Sequence, residues 1–303
     1  MGLENSLRRL FFGVNKHTKF LILGDGRSGT TWVADVLNFD GRYLDFFESF
    51  HGQRVLKLED RRIYPTSVDF FERSTRFESY VMGSKIFADQ QKPKGFARSG
   101  CLVKDVTAHM VFPLICNSFD YKVYIIRNPL SVALSKEGFG VWHSDEDLKM
   151  LVNSSSEVRE LSDRCMSRCL VGSCFHEYVL VWCLLHRIVL SEVLKSGTLV
   201  VFYENLLLDP ERSFEQLFSH MNMERDYIRS KSKILSAINK RSKTTTSQNR
   251  IESGLNGERT WERYKSSSEI SDAHEIIRIF KLDHLYQDTI VPQLQPRAIH
   301  GYI

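Results

Sequence analysis

No apolar stretch in these 303 residues reaches the length of a transmembrane helix, and no secretory signal pattern opens the chain. A cytoplasmic location is therefore expected. No linker rich in Gly, Ser or Pro divides the sequence, and no internal repeat of useful length occurs, so one domain is expected. With 42% hydrophobic residues, that domain can bury a large core. Excess charge of one sign is also scarce. A net charge of +4 does not suggest a nucleic-acid partner. A run of seven basic residues (Arg229, Lys231, Lys233, Lys240, Arg241, Lys243 and Arg250) has no aromatic residue among them. It reads first as a solvated, partly mobile segment and second as a surface for an anionic ligand. The six cysteines lack the paired C-x-x-C spacing of a structural zinc site: Cys165, Cys169 and Cys174, near His176, do not form it, and no metal is expected. Cys183 falls in an apolar helical pattern and is expected in the core.

What is present begins with Gly24-Asp25-Gly26-Arg27-Ser28-Gly29-Thr30-Thr31, placed between the apolar run Phe20-Leu21-Ile22-Leu23 and a stretch of helical spacing that starts at Trp32. A strand, a glycine-rich turn and a helix start in that order aim several backbone N–H groups and the positive end of a helix dipole at one spot. That is a site for a phosphate or similar anion. Gly24 and Gly29 keep the G-x-x-x-x-G spacing of a Walker A loop, but Thr30 stands where its lysine belongs, and the positive charge sits inside the loop on Arg27.

A second motif follows about a hundred residues later. Lys122-Val123-Tyr124-Ile125-Ile126 reads as a strand, and it ends in Arg127-Asn128-Pro129-Leu130, with Ser135 eight positions beyond Arg127. Pro129 suits the first turn of a helix. Arg127 would then sit at the carboxyl end of the strand and Ser135 on the helix after it. A planar fork of donors and a hydroxyl make a reasonable clasp for a second phosphate.

Together these motifs resemble those of the sulfotransferases that use 3′-phosphoadenosine 5′-phosphosulfate (PAPS). Arg27-Ser28-Gly29-Thr30-Thr31-Trp32 is similar to their 5′-phosphosulfate loop, which reads Lys-Ser-Gly-Thr-Thr-Trp in cytosolic members and carries Arg-Ser-Gly in carbohydrate-modifying ones, so the resemblance is closer to the carbohydrate-type and bacterial sulfotransferases than to the cytosolic type. Arg127 and Ser135 match the pair that holds the donor's 3′-phosphate. The run from Val200 through Tyr203-Glu204-Asn205-Leu206 resembles the family strand ending in Tyr-Glu-Asp-Leu, whose Tyr lies near the adenine. The resemblance implies that Arg27, Ser28, Gly29, Thr30, Thr31, Trp32, Arg127, Ser135 and Tyr203 hold the donor, with Trp32 as the platform on which adenine stacks. Arg250, ahead of Gly257-Glu258-Arg259-Thr260-Trp261, loosely resembles the Arg-rich cap that closes over the donor, although its spacing differs from the cytosolic pattern. For Trp32 the other reading is a core aromatic in the first turn of a helix.

Transfer of a sulfuryl group needs a base for the acceptor hydroxyl and a cation for the charge that builds on the leaving oxygen. Leu44-Asp45-Phe46-Phe47-Glu48-Ser49-Phe50-His51 resembles the Tyr-Glu-Pro…His stretch of carbohydrate sulfotransferases, which makes Glu48 the first candidate base and His51 the second. Taken singly, each reads equally as an ordinary polar loop residue. Lys104, in Cys101-Leu102-Val103-Lys104-Asp105, is the candidate cation for the transferring group, and its other reading is an exposed ion pair with Asp105. The cytosolic Lys-x-His base is not kept: Val106 occupies that place, and His109 lies five positions after Lys104.

The expected fold is α/β and three-layered, a central mainly parallel sheet with helices on both faces, of the P-loop nucleoside-triphosphate-hydrolase-like kind. Strands are expected at 19–23, 44–47, 101–104, 122–126 and 199–203, and a long amphipathic helix at 177–194. Residues 1–16 are read as an amphipathic extension, 17–292 as the sulfotransferase domain and 293–303 as a tail. Residues 138–172, the least regular stretch, are expected to be an acceptor-binding or lid insertion, and 54–76 a second place for acceptor selectivity. Met1-Gly2-Leu3-Glu4-Asn5-Ser6 fits the loose N-myristoylation pattern, so residues 2–14 could lie on a membrane surface, the other reading being a helix packed on the domain. Golgi carbohydrate sulfotransferases have a membrane anchor; its lack here implies a cytoplasmic relative or a domain without its anchor. The implied partners are PAPS as donor, adenosine 3′,5′-bisphosphate as product and a small-molecule or glycan acceptor, with no metal and no nucleic acid. Two further functions stay open, a P-loop small-molecule kinase and a non-catalytic nucleotide-binding relative.

Overall fold

A computed structural model describes residues 18–53, 58, 61–69, 100–140, 142–240, 261–286 and 292. Residues 1–16, Arg250 and 293–303, each singled out above, lie outside the described residues. Five strands form one sheet: β1 (Thr18–Gly24), β2 (Tyr43–Phe47), β3 (Gly100–Asp105), β4 (Tyr121–Ile126) and β5 (Leu199–Phe202), in the order β2-β3-β1-β4-β5. Every neighbouring pair is parallel. All five expected strands are present, each within a residue or two of its expected ends.

The strands read as continuous apolar runs because both faces of the sheet are covered. Alternate residues point to opposite faces: Leu21, Leu23, Val103, Tyr124 and Ile126 enter one core, while Phe20, Ile22, Leu102, Val123 and Ile125 enter the other. On the first face lie α2 (Pro129–Glu137), α3 (Cys174–Lys195) and the helix Ser267–Ile279. On the second lie α1 (Thr30–Leu37), the helices Tyr203–Leu208 and Pro210–His220, and α4 (Glu224–Asn239). This is the expected three-layer α/β arrangement. Helix α3 starts three residues before its expected position, because the Ser173 side chain caps it by accepting the N–H of His176. Cys183 is fully buried within it, as expected.

One expectation needs correction. Residues 138–172 are not the least regular stretch: they hold the helices Asp145–Val152 and Ser156–Ser167. Ser144 with Asp147 forms a capping box for the first, and Ser155 caps the second. Among the basic residues, Arg229, Lys231 and Lys233 lie on α4, whose Ile234 and Ile238 are buried, so that part of the run is the solvated face of a helix. Lys231 pairs with Glu211 on the neighbouring helix.

Register carries the fold toward function. In the pairs Leu23↔Asp105, Phe47↔Lys104, Gly24↔Ile125 and Ile126↔Phe202 the carboxyl ends of the strands are level, so the loops that follow them face one region. Ligands of such sheets bind there. No helix among the described residues is long and apolar enough to cross a membrane.

Candidate active site

The glycine-rich loop leaves β1 at Gly24, where a Cβ would stand 2.6 Å from the carbonyl oxygen of Ile125. The loop folds back as the N–H of Ser28 donates to the Asp25 carbonyl at 3.1 Å. Arg27 (φ 72°) and Gly29 (φ 87°) are both left-handed, an ordinary state for glycine and an uncommon one for arginine. Gly29 caps α1 without a side-chain hydrogen bond, and no acidic residue occupies the first turn, so side chains leave the helix's N-terminal N–H groups to an outside acceptor. The Ser28 hydroxyl is buried and has no hydrogen-bond partner among the described residues. A buried orphan hydroxyl beside open helix N–H groups fits an anion with several acceptor oxygens.

The second motif meets the first directly. Asn128 caps α2 by accepting from the N–H groups of Leu130 (3.0 Å) and Ser131 (3.2 Å), with Pro129 at the first helical position, as expected. Arg127 Nη1 donates to the Arg27 carbonyl at 2.6 Å, and its guanidinium lies 4.6 Å from the centre of the Tyr203 ring. Arg27 Nε in turn donates to Ser135 Oγ at 2.9 Å, while its guanidinium covers the ring of Phe139 at 4.1 Å. Two buried groups fix the backbone of the motif. The indole N–H of Trp182 donates to the Arg127 carbonyl at 3.1 Å, and Glu204 accepts the N–H of Asn128 at 2.8 Å while Tyr286 donates to its other oxygen at 2.6 Å.

Glu48 and Lys104 are brought together by the sheet. Because Phe47 pairs with Lys104, the Glu48 N–H reaches the Lys104 carbonyl at 2.7 Å, and Lys104 Nζ reaches Glu48 Oε1 at 3.0 Å. The side chains are 4% and 11% exposed, and the ammonium also lies 3.9 Å from the centre of the Phe47 ring. The expected alternative of an exposed Lys104–Asp105 pair is not found: Asp105 is fully buried and accepts the N–H groups of Phe50, Thr107 and Ala108. Burial pushes its carboxyl above the ordinary range, and those backbone bonds oppose the shift. Glu48 is left-handed (φ 53°), and its carbonyl accepts the N–H of His51.

One cleft runs along these groups, lined by Gly26, Arg27, Gly29, Thr30, Thr31, Trp32, Phe47, Glu48, Lys104, Val106, Arg127, Trp142 and Tyr203. Ser28 lies under the loop and Ser135 joins through Arg27. His51 is buried and does not line the cleft. Trp32 is 1% exposed, donates its indole N–H to the Ile238 carbonyl at 3.0 Å and meets Tyr203 and Phe214 edge to face. The fold thus uses it as a core aromatic, the other reading of the sequence, and as part of the cleft floor. His109 is fully buried away from the cleft, edge to face with Tyr64 and Tyr124, and burial holds its imidazole well below the ordinary range.

Sequence reasoning passed over the Asp25–Lys136 pair, the supports Trp182 and Glu204, and Trp142. The only signals for them were position: Asp25 inside the loop, Lys136 next to Ser135, and Glu204 next to Tyr203. The two stretches expected to select acceptors are tied to each other, since Asp147 accepts the N–H groups of Ile63 (2.9 Å) and Tyr64 (3.1 Å). Among the described residues no group of three or more His, Cys, Asp or Glu is placed to hold a metal.

The family model described as the sulfotransferase domain matches residues 17–275. Two solved structures are similar: a sulfotransferase domain from the curacin biosynthetic pathway (14% identity, TM-score 0.43, covering 88% of this chain and 98% of that one) and a sulfotransferase domain from the olefin synthase of Synechococcus PCC 7002 (13% identity, TM-score 0.43, covering 87% and 96%). No curated protein sequence matches the chain.

Proposed function

The chain belongs to the sulfotransferase domain family, and we propose that it moves a sulfuryl group from PAPS to an acceptor hydroxyl on a carbohydrate, a glycan-like molecule or a natural product. The observation that carries the donor assignment is the convergence of two anion-binding motifs, through Arg127 to the Arg27 carbonyl and Arg27 Nε to Ser135 Oγ, in a cleft that also holds Glu48 and Lys104. When bound, PAPS supplies an activated sulfuryl group on a bridging oxygen that departs with adenosine 3′,5′-bisphosphate. The loop N–H groups, the orphan Ser28 hydroxyl and Arg27 would hold the 5′ end, and Arg127 with Ser135 the 3′-phosphate. Glu48 would take the proton of the attacking hydroxyl, and Lys104, its partner at 3.0 Å, would face the negative charge that builds on the leaving oxygen. Arg and Lys supply the positive charge at this site. In place of the Walker lysine stands Thr30, which disfavours phosphoryl transfer from ATP.

The test is incubation of the purified protein with sulfur-labelled PAPS and a panel of sugars, glycosides and hydroxylated natural products. Label transferred to one acceptor class, lost in E48Q but with bisphosphate binding kept, is the expected result. Binding without transfer in any panel would support the non-catalytic relative instead.

A further inference from the structure

Beneath the anion-binding loop lies an ion pair that the transfer chemistry does not use. Lys136 Nζ donates to both oxygens of Asp25, at 2.7 and 2.8 Å, and the two side chains are 1% and 0% exposed. Asp25 stands within the loop, directly before Gly26, and its carbonyl closes the turn at Ser28. Lys136 follows Ser135 on α2, and its carbonyl accepts the indole N–H of Trp142 at 3.1 Å. Trp142 lies over Gly26 so closely that a Cβ there would be 2.9 Å from its ring.

We propose that Lys136 is a positioning residue for the donor site: it ties the loop to the helix that carries Ser135 and cancels the carboxylate standing beside the loop's N–H groups. The proposal rests on the donor reading above and goes beyond it. A loop that collects N–H groups for an anion gains nothing from a carboxylate of its own, because an unscreened buried negative charge repels the ligand. A cation equally buried neutralises it, and the lysine on α2 that does so also ties the loop to the helix carrying Ser135. Lys136→Met would remove both the tie and the neutralising charge. D25N would remove the carboxylate's charge and keep one acceptor for the ammonium. The double variant would be neutral but untied.

Two measurements on the full chain test this: calorimetric titration with adenosine 3′,5′-bisphosphate, and amide hydrogen exchange of residues 26–31 in the free protein. For K136M, affinity should fall by about tenfold or more and exchange in the loop should rise by a similar factor, whereas D25N, which keeps the positive charge beside the ligand and one acceptor for the ammonium, should lose clearly less affinity than K136M and raise loop exchange less. D25N/K136M should recover part of the lost affinity and keep the fast exchange. Equal losses of affinity in D25N and K136M, or unchanged loop exchange in K136M, would overturn the proposal. If K136M does not fold, the comparison of D25N/K136M with D25N reads the tie alone: faster loop exchange in the double variant supports the proposal, and unchanged exchange overturns it. A wild-type protein that ignores the bisphosphate would refute the donor reading, and the exchange measurement would still decide whether Lys136 holds the loop.

Discussion

Gly29→Ala probes the joint between the loop, α1 and Tyr203. Gly29 has φ 87°, and an added Cβ would lie 2.5 Å from both Cδ2 and Cε2 of the Tyr203 ring. That ring is 2% exposed and held between Trp32 and Arg127, so it can yield only by breaking those contacts or turning into the cleft it lines. The left-handed backbone costs an L-residue about 1–2 kcal/mol. Overpacking a rigid neighbour adds about 1–3 kcal/mol. Together these give a loss of roughly 2–5 kcal/mol, or a fall in melting temperature on the order of 3–8 °C by the size scaling of thermal unfolding. Displacing Tyr203 also removes the ring beneath the Arg127 guanidinium, so affinity for adenosine 3′,5′-bisphosphate should fall by about tenfold or more, equivalent to about 1.4 kcal/mol. Calorimetric melting and isothermal titration read the two effects. A variant that melts within 2 °C of wild type, by the same scaling, and binds the bisphosphate equally well would refute the packing described for this joint.

The arginines should act on the ligand rather than the fold: R27A and R127A each remove a charge-assisted contact worth about 1.5–3 kcal/mol, so bisphosphate binding should weaken about tenfold to a hundredfold by titration calorimetry. E48Q should lower turnover by about a hundredfold or more while leaving bisphosphate binding intact, because it removes the proton acceptor and keeps an oxygen for Lys104; turnover unchanged in E48Q would exclude Glu48 as the base. Acid should destabilise the protein through His186, which is fully buried, donates Nδ1–H to the Trp182 carbonyl at 2.7 Å and is pushed down to about 4 by loss of solvation. The unfolded chain takes up a proton near the ordinary imidazole value of 6.5, which the folded chain refuses until about 4, so this contribution is present above 6.5 and is lost as the pH falls between the two. Urea unfolding should therefore give a stability lower by about 2 kcal/mol at pH 5 than at pH 7.5, and equal stabilities would contradict the neutral buried imidazole. E204Q should keep the bond to the Asn128 N–H but weaken the one from Tyr286, and bisphosphate affinity should drop only severalfold, by about 1 kcal/mol.

The sheet was legible because its strands are buried on both faces, which leaves short unbroken apolar runs such as Phe20-Leu21-Ile22-Leu23, identified by their length, β-rich composition and flanking turn residues. The anion-binding loop was legible because its chemistry is local: glycines, hydroxyls and one arginine within eight positions. Pairings between distant segments were not legible. Glu48 and Lys104 meet only because β2 and β3 are neighbours in a given register, and nothing in either segment states the register. The same holds for Asp25 with Lys136 and Glu204 with Asn128, where one acid and its partner lie far apart along the chain. The helices Asp145–Val152 and Ser156–Ser167 were missed for a different reason. Serine favours both loops and helix caps, and only the helix that follows decides between them. The burial of Trp32 was not legible either, because its contacts with Tyr203 and Phe214 are made by elements more than a hundred residues away.

The central claim is that the two converging motifs recognise a nucleotide with phosphates at both the 5′ and 3′ positions. Isothermal titration of the wild-type protein with adenosine 3′,5′-bisphosphate, and separately with ATP and Mg²⁺, tests it most directly. Micromolar binding of the bisphosphate, about −8 kcal/mol, with no comparable binding of Mg-ATP is the predicted result. Preference for Mg-ATP would contradict it and point to phosphoryl transfer, and binding of neither ligand would contradict the donor site altogether.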